Sequence, residues 1–172
     1  MPAVIAAATQ HQPRFCPTCG TPLTSQRHGT QDRPTCPACG FVYFADPKVA
    51  VAVVITANGR VLLGRRSNEP GRGLWALPAG YVDRGEALEA AAAREAQEEL
   101  NVAVAINRLI GLYSTNGDPV ILAVYAATII SGEPHAGDDL DAVGYFARDG
   151  LPELAFARDE EIVRGELAAQ RA

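Results

Sequence analysis

Positive charge is scarce in this chain. Fifteen lysines and arginines stand against twenty aspartates and glutamates, a net charge of −5 over 172 residues. That balance argues against a general nucleic-acid binder. Long uncharged apolar runs are also missing, so no membrane span is expected. The opening MPAVIAAATQ is mildly apolar but lacks a basic n-region, and it reads as a flexible leader over residues 1–13 rather than an export signal. A cytoplasmic location is the expectation that follows. There is no internal repeat, and the only low-complexity tract is Ala90 to Ala93. Histidine is limited to His11, His28 and His135, all beside glycine, proline or polar residues, and none is assigned a role. What is present is ordinary: 48% of the residues are apolar, enough for a sizeable core, and the length suits one domain with a small appendage.

Cysteine is confined to that appendage. All four lie in two knuckles, Cys16-Pro-Thr-Cys19-Gly20 and Cys36-Pro-Ala-Cys39-Gly40, with sixteen residues between the pairs. This spacing suits a four-cysteine zinc site. Two such knuckles complete a tetrahedral site with no open position, which is structural rather than catalytic. The alternative is a pair of disulfides in a secreted domain, and no export signal supports it. The segment 14–46 is too short to bury an adequate core, so zinc should supply most of its folding free energy. Its charges are Arg14, Arg27 and Arg33 against Asp32 and Asp46, with no basic stripe for nucleic acid. A structural or interface role is favoured, and Phe41, Tyr43 and Phe44 are candidates to pack the ribbon against the remaining domain, 47–172.

The densest information lies in GYVDRGEALEAAAAREAQEELNV, residues 80–102. Glu95, Glu98 and Glu99 fall at i, i+3 and i+4 of a helix expected from about Glu86 to Leu100. At 3.6 residues per turn, Glu95 and Glu99 share a side with Leu88, Ala91 and Ala92, and Glu98 flanks it. Carboxylates so placed repel by roughly 0.2–0.5 kcal/mol per pair when exposed, and by more when buried without a counter-charge. A solvated acidic face is the bland reading. Acids on the apolar side argue instead for a hard divalent cation bound through oxygen.

The order Gly80, Glu86, Arg94-Glu95-Ala96-Gln97-Glu98-Glu99, Asn101, Val102 resembles the Nudix box, the signature of enzymes that hydrolyse nucleoside diphosphates linked to another moiety. One position departs: Asn101 stands where the family usually has glycine. A left-handed residue is needed after the helix, and asparagine is the commonest substitute for glycine there. The runs CPACGFVYFADPKVAVAVVI and GRVLLGRRSNEPGRGLWALPAGYVDRGE extend the likeness to the Nudix group with an N-terminal zinc ribbon, from Cys16 to Val102. The resemblance implies an α/β fold, a Nudix-type α/β/α sandwich with a mixed β-sheet. It also implies Mg²⁺ or Mn²⁺ held by Glu95, Glu98, Glu99 and the carbonyl of Gly80. Glu86 and Arg94 match positions that brace the loop, and Arg94 is also placed to pair with Glu98. A further acid from outside the box aligns with Asp139, in a cluster with Asp138 and Asp141 that reads equally as a solvated turn. A homodimer is implied too, although no seam of exposed apolar residues is legible.

Strands are expected at Val49 to Thr56, Val61 to Leu63, Leu74 to Leu77, Val102 to Ile106, Leu109 to Tyr113, Val120 to Ile130 and Val143 to Ala147. Asn58-Gly59 signals a hairpin, Arg65 to Gly73 a loop, Pro78-Ala79-Gly80 a turn, and Asp159 to Gln170 a surface helix. Val49 to Thr56 is a continuous β-branched run, suited to a strand buried on both faces. Arg65, Arg66 and Arg72 are candidate anchors for substrate phosphates; each reads equally as solvent-facing charge. Trp75 and Tyr81 read more readily as core than as partners of a base.

The resemblance points to a nucleoside diphosphate-linked small molecule as partner, with ADP-ribose and FAD ahead of NADH. NADH pyrophosphatases of the group show a Ser-Gln-Pro-Trp run after the box, whereas this chain has Tyr113-Ser114-Thr115-Asn116-Gly117-Asp118-Pro119. Two readings of other classes are an RNA-binding or decapping module and a non-catalytic ligand sensor. The neutral ribbon weighs against the first, the intact glutamates against the second.

Overall fold

The computed structural model describes residues 12–169. Most of the expected leader, and Gln170 of the expected last helix, lie outside the described residues. The chain divides into two compact units, one ending at Pro47 and the other beginning at Lys48.

In the first unit a two-stranded antiparallel hairpin, β1 (Thr24–His28) and β2 (Gln31–Thr35), joins the two cysteine knuckles. Each knuckle closes in the same way. Gly20 N–H donates to the Cys16 carbonyl and Gly40 N–H to the Cys36 carbonyl, with both glycines at positive φ (73° and 74°). Side chains at these positions would be strained, which accounts for the glycine after each second cysteine. Phe44, one of three aromatics expected to pack the ribbon, is exposed and stacks under Arg33 at 4.4 Å.

The second unit is a mixed sheet of seven strands between two helices: β3 (Lys48–Ala57), β4 (Arg60–Arg66), β5 (Trp75–Ala76), β6 (Ala79–Tyr81), α1 (Leu88–Leu100), β7 (Ala103–Tyr113), β8 (Val120–Ser131), β9 (Leu140–Ala147) and α2 (Ala157–Ala169). The β-branched run in β3 lies at its centre. Val51, Val53 and Ile55 face α1 with Ala91, Ala92, Ala96 and Leu100. Ala50, Ala52 and Val54 face α2 with Ile162, Val163 and Leu167. Strand periodicity alone sends alternate residues to the two layers, and the α/β/α sandwich follows. Among the described residues no helix is long and apolar enough to cross a membrane.

Several boundaries differ from expectation for identifiable reasons. Residues 78–80 are not a free turn. β3 pairs with β4 only at the Asn58-Gly59 end, then splays, and β6 enters the gap opposite Ala50, Val51 and Ala52. Arg65 and Arg66 belong to β4 rather than to the following loop, because β5 and β9 extend its ladder on both edges. The two strands expected between Val102 and Tyr113 are one. Register shifts around Asn107 and Ile110 absorb the break in apolar alternation without ending the strand. Helix α1 starts at Leu88, because Glu86 is used in the preceding turn, where its carboxylate accepts the Asp83 N–H at 3.1 Å.

Asp159, in the first turn of α2, is 3% exposed and accepts the Leu77 N–H at 3.2 Å. Burial pushes its carboxyl up from 3.8 to about 6, against the opposing pull of the Leu77 N–H and of Arg158 and Arg66. Because the folded value is raised, the folded chain holds this proton more tightly than the unfolded one. Its contribution to stability is therefore present near pH 4 and is lost as pH rises to about 6, over a range of ~3 kcal/mol. Asp159→Asn keeps an acceptor for Leu77 and cannot ionise. Thermal unfolding at pH 4, 5, 6 and 7 should show the variant gaining on the wild type as pH rises; a constant difference would contradict this.

Candidate functional site

Burial separates the three box glutamates as the helical wheel predicts. Glu95 and Glu99 are 8% and 6% exposed, while Glu98 is exposed on the flank. They are tied to different neighbours. Ala79 N–H donates to Glu99 Oε2 at 3.0 Å. Arg94 reaches Glu95 Oε1 (2.7 Å) and Glu98 Oε2 (2.9 Å) through Nη1, Glu86 through Nε and Nη2 (both 2.9 Å), and the Tyr81 carbonyl through Nη2 (3.0 Å). One guanidinium thus binds the loop to the helix, and its proton is held more firmly than usual by Glu86 first and Glu95 second. Arg94 in turn holds the Glu86 carboxyl down to about 2. The charge balance is incomplete, since Arg94 serves three acids and Glu99 has no cationic hydrogen-bond partner among the described residues. Burial raises Glu95 above the ordinary carboxylate value and lifts Glu99 to about 7.

Gly80 lies against this cluster. A Cβ added there would come 2.0 Å from Glu95 Oε1, so only glycine lets the strand approach the carboxylate. Gly80→Ala would force the flexible end of Glu95 aside and break its contact with Arg94. The fold should survive, because a carboxylate and not backbone must move. Turnover should fall roughly a hundredfold, the scale of a one-ångström misplacement. Paired unfolding and steady-state assays check both halves.

The cluster fits a hard divalent cation by its donor chemistry: buried, incompletely neutralised oxygens beside a glycine strand. Arg94 holds the oxygens of Glu95 and Glu98, while Glu99 is held by the Ala79 N–H. Among the described residues, the four cysteines form the one group whose ligand atoms all lie within 4.8 Å of one another. The cysteines are free thiols, with Sγ separations of 3.4–3.6 Å between Cys16 and Cys39, Cys19 and Cys36, and Cys19 and Cys39. Two alternating pairs of buried and exposed thiols fit a closed tetrahedral zinc site.

The remaining candidates are scattered around the cluster. Asp139 is exposed, its carbonyl accepts the Ser67 N–H at 2.9 Å, and its charge acts on Glu99. Asp141 is taken up by Arg65 at 2.6 Å. Arg66 donates to the Pro70 carbonyl (2.7 Å) and Asn68 (3.1 Å), lies 5.4 Å from the Phe156 ring centre, and its charge also acts on Glu99. Arg72 is exposed in the loop between β4 and β5. Trp75 is a core residue, edge-on to Phe146 at 4.6 Å. Tyr81 is 56% exposed with Lys48 above its ring, so it is not core. Sequence reasoning missed Asp159, which reads as one more acid in a charged helix. It also missed the segment 132–138, whose small and polar residues give no periodic signal.

Comparison with known proteins fits this geometry. The NUDIX domain family matches residues 46–165. An ADP-ribose pyrophosphatase from Methanocaldococcus jannaschii is 38% identical over 69% of this chain and 73% of its own length. NAD-capped RNA hydrolase NudC from Pseudomonas aeruginosa is 32% identical over 84% of the chain but 51% of its own length; the present chain spans about half of such relatives. A crystal structure of a NUDIX hydrolase from Nitrosomonas europaea superimposes with a TM-score of 0.86 at 29% identity, covering 92% of each chain. The chain belongs to the Nudix family. Within it, the family match and the similarity to an ADP-ribose pyrophosphatase indicate an enzyme of the pyrophosphatase class.

Proposed function

We propose that this enzyme hydrolyses the diphosphate bridge of a nucleoside diphosphate derivative, with ADP-ribose or FAD as substrate. The observation that carries the reading is the buried carboxylate pair Glu95 and Glu99 with Glu98 on their flank, packed against a strand at Gly80, where any side chain would meet the Glu95 carboxylate. The similarity to an ADP-ribose pyrophosphatase over 123 residues supports the choice of substrate.

Glu95, Glu98, Glu99 and the Gly80 carbonyl would hold Mg²⁺ or Mn²⁺. Such an ion supplies neutralisation of the phosphoryl oxygens and acidifies water at neutral pH. Asp139 is the proposed further acid from outside the box. Glu86 and Arg94 keep the loop seated on α1. Arg65, Arg66 and Arg72 are the proposed donors to the substrate phosphates, because a planar guanidinium suits a phosphate through paired N–H bonds; Arg65 and Arg66 would exchange their present bonds to Asp141, Pro70 and Asn68 for it. Water adds across the P–O–P bridge and two phosphate monoesters leave. Zinc on Cys16, Cys19, Cys36 and Cys39 is structural in this reading.

A second reading has a specific support: the 32% identity with NudC, named for NAD-capped RNA, across most of this chain. Against it stands the stretch Tyr113 to Pro119, which lacks tryptophan. A panel of ADP-ribose, FAD, NADH, NAD, diadenosine polyphosphates and capped RNA, with Mg²⁺ and product release as readout, decides between them. Preference for NADH or NAD-capped RNA over ADP-ribose and FAD by tenfold, about 1.4 kcal/mol, would overturn the first reading.

A further inference from the structure

The C-terminal end of α1 is covered by a segment far along the chain. His135 N–H donates to the Leu100 carbonyl (3.1 Å), Gly137 N–H to that of Glu99 (2.8 Å), and Asp138 N–H to that of Glu98 (3.4 Å). A helix leaves its last four carbonyls without partners, and here three of them are satisfied by one loop. The approach is tight: a Cβ on Gly137 would lie 2.0 Å from the Glu98 carbonyl oxygen. Two of the capped residues, Glu98 and Glu99, carry carboxylates of the candidate site. The loop delivers Asp139, which is pinned from its other side by Ser67 N–H. Leu140 follows, buried against Gly64 and the core facing α1.

Asn101 lies at the join. It adopts the left-handed conformation (φ 58°, ψ 32°) that ends α1. Glycine would serve that turn at lower steric cost, so backbone geometry alone does not account for asparagine. Its side chain does something glycine cannot: Nδ2 donates to the His135 carbonyl at 3.3 Å. His135 is thus held at both backbone groups, its N–H by Leu100 and its carbonyl by Asn101. The same Nδ2 would lie 3.1 Å from a Cβ on Gly137, so it also packs beside the loop's closest approach to the helix.

We propose that Asn101 is a positioning residue for the reaction: its side-chain amide fixes the register of the 135–138 loop on α1 and thereby the placement of Asp139, the next residue along. The proposal rests on the reading of Asp139 given above. The link is mechanical, running Asn101 to His135, to Gly137 and Asp138, to Asp139.

The test uses the full chain. Asn101→Gly keeps the turn and removes the donor, and Asn101→Asp keeps size and turn preference with an acceptor in the donor's place. Both should raise amide hydrogen exchange at His135 and Gly137 by roughly tenfold, the size expected for losing one modest restraint on a local opening. Both should lower kcat for ADP-ribose by about the same factor with KM unchanged. In an Asp139→Asn background Asn101→Gly should lower kcat no further, since the two would act through one group. Wild-type exchange at His135 and Gly137 in the variants overturns the proposal whether or not ADP-ribose is the substrate. An equal loss of kcat in the Asp139→Asn background also overturns it, because Asn101 would then act elsewhere. Absence of wild-type turnover on every diphosphate tested would refute the proposed function instead, and with it the positioning role; the exchange rates would still report the tether.

Discussion

Glu98→Gln should reduce turnover by roughly two to four orders of magnitude, the range typical of losing one charged catalytic group, while leaving the fold intact. The substitution is isosteric and at an exposed position. Glu98 makes one side-chain contact, with Arg94 Nη1 at 2.9 Å, and a glutamine oxygen can accept the same bond. What changes is charge. A hard cation prefers anionic oxygen over amide oxygen, so the variant should also show weaker magnesium uptake by calorimetry. Metal-free stability should be unchanged or slightly higher, because one of three mutually repelling carboxylates is gone. A variant that hydrolyses the favoured diphosphate as fast as wild type would show that Glu98 takes no part in the reaction.

The second large effect is on the ribbon. Cys36→Ser should abolish its zinc content and unfold the unit that ends at Pro47. Cys36 is 1% exposed, its Sγ is 3.4 Å from that of Cys19, and its backbone N–H closes the knuckle on the Phe41 carbonyl. Apart from the cysteines, Thr35 is the only buried residue in the described part of this unit. A lone two-stranded hairpin is marginal in water, whereas structural zinc contributes on the order of 10–16 kcal/mol. The two apolar clusters of the second unit draw all their members from beyond Pro47, so it should keep its own thermal transition. Elemental analysis and amide spectra of wild type and variant measure both outcomes. Stoichiometric zinc in the variant would show that Cys36 is not required to hold the ion.

The sequence was most legible where one physical constraint dominates. The β-branched run 49–56 requires burial on both faces, and β3 has it. The wheel placing Glu95 and Glu99 inward needs only the helical period, and the burial agrees. Asn58-Gly59 forms its turn because both residues tolerate positive φ. Legibility failed where tertiary contacts decide. Nothing local says that Ala79–Tyr81 becomes a strand, since its partner is the part of β3 vacated by β4. Nor does local pattern show that a loop beyond residue 131 caps α1, or that Asp159 is buried beneath Leu77. Asn101 was half legible: its turn follows from residue preference, its bond to His135 only from the folded chain.

One consequence of the strand order concerns synthesis. β3 pairs with β8 in parallel, from Lys48 opposite Val120 to Ile55 opposite Ala127. A ribosome therefore delivers the ribbon, the hairpin and the whole acidic helix while one edge of the most apolar strand still lacks its neighbour. Such an open edge is a target for chaperones and for wrong pairing with other nascent chains. Premature termination between Val102 and β8 would leave a polypeptide carrying every box residue and no completed sheet to hold them.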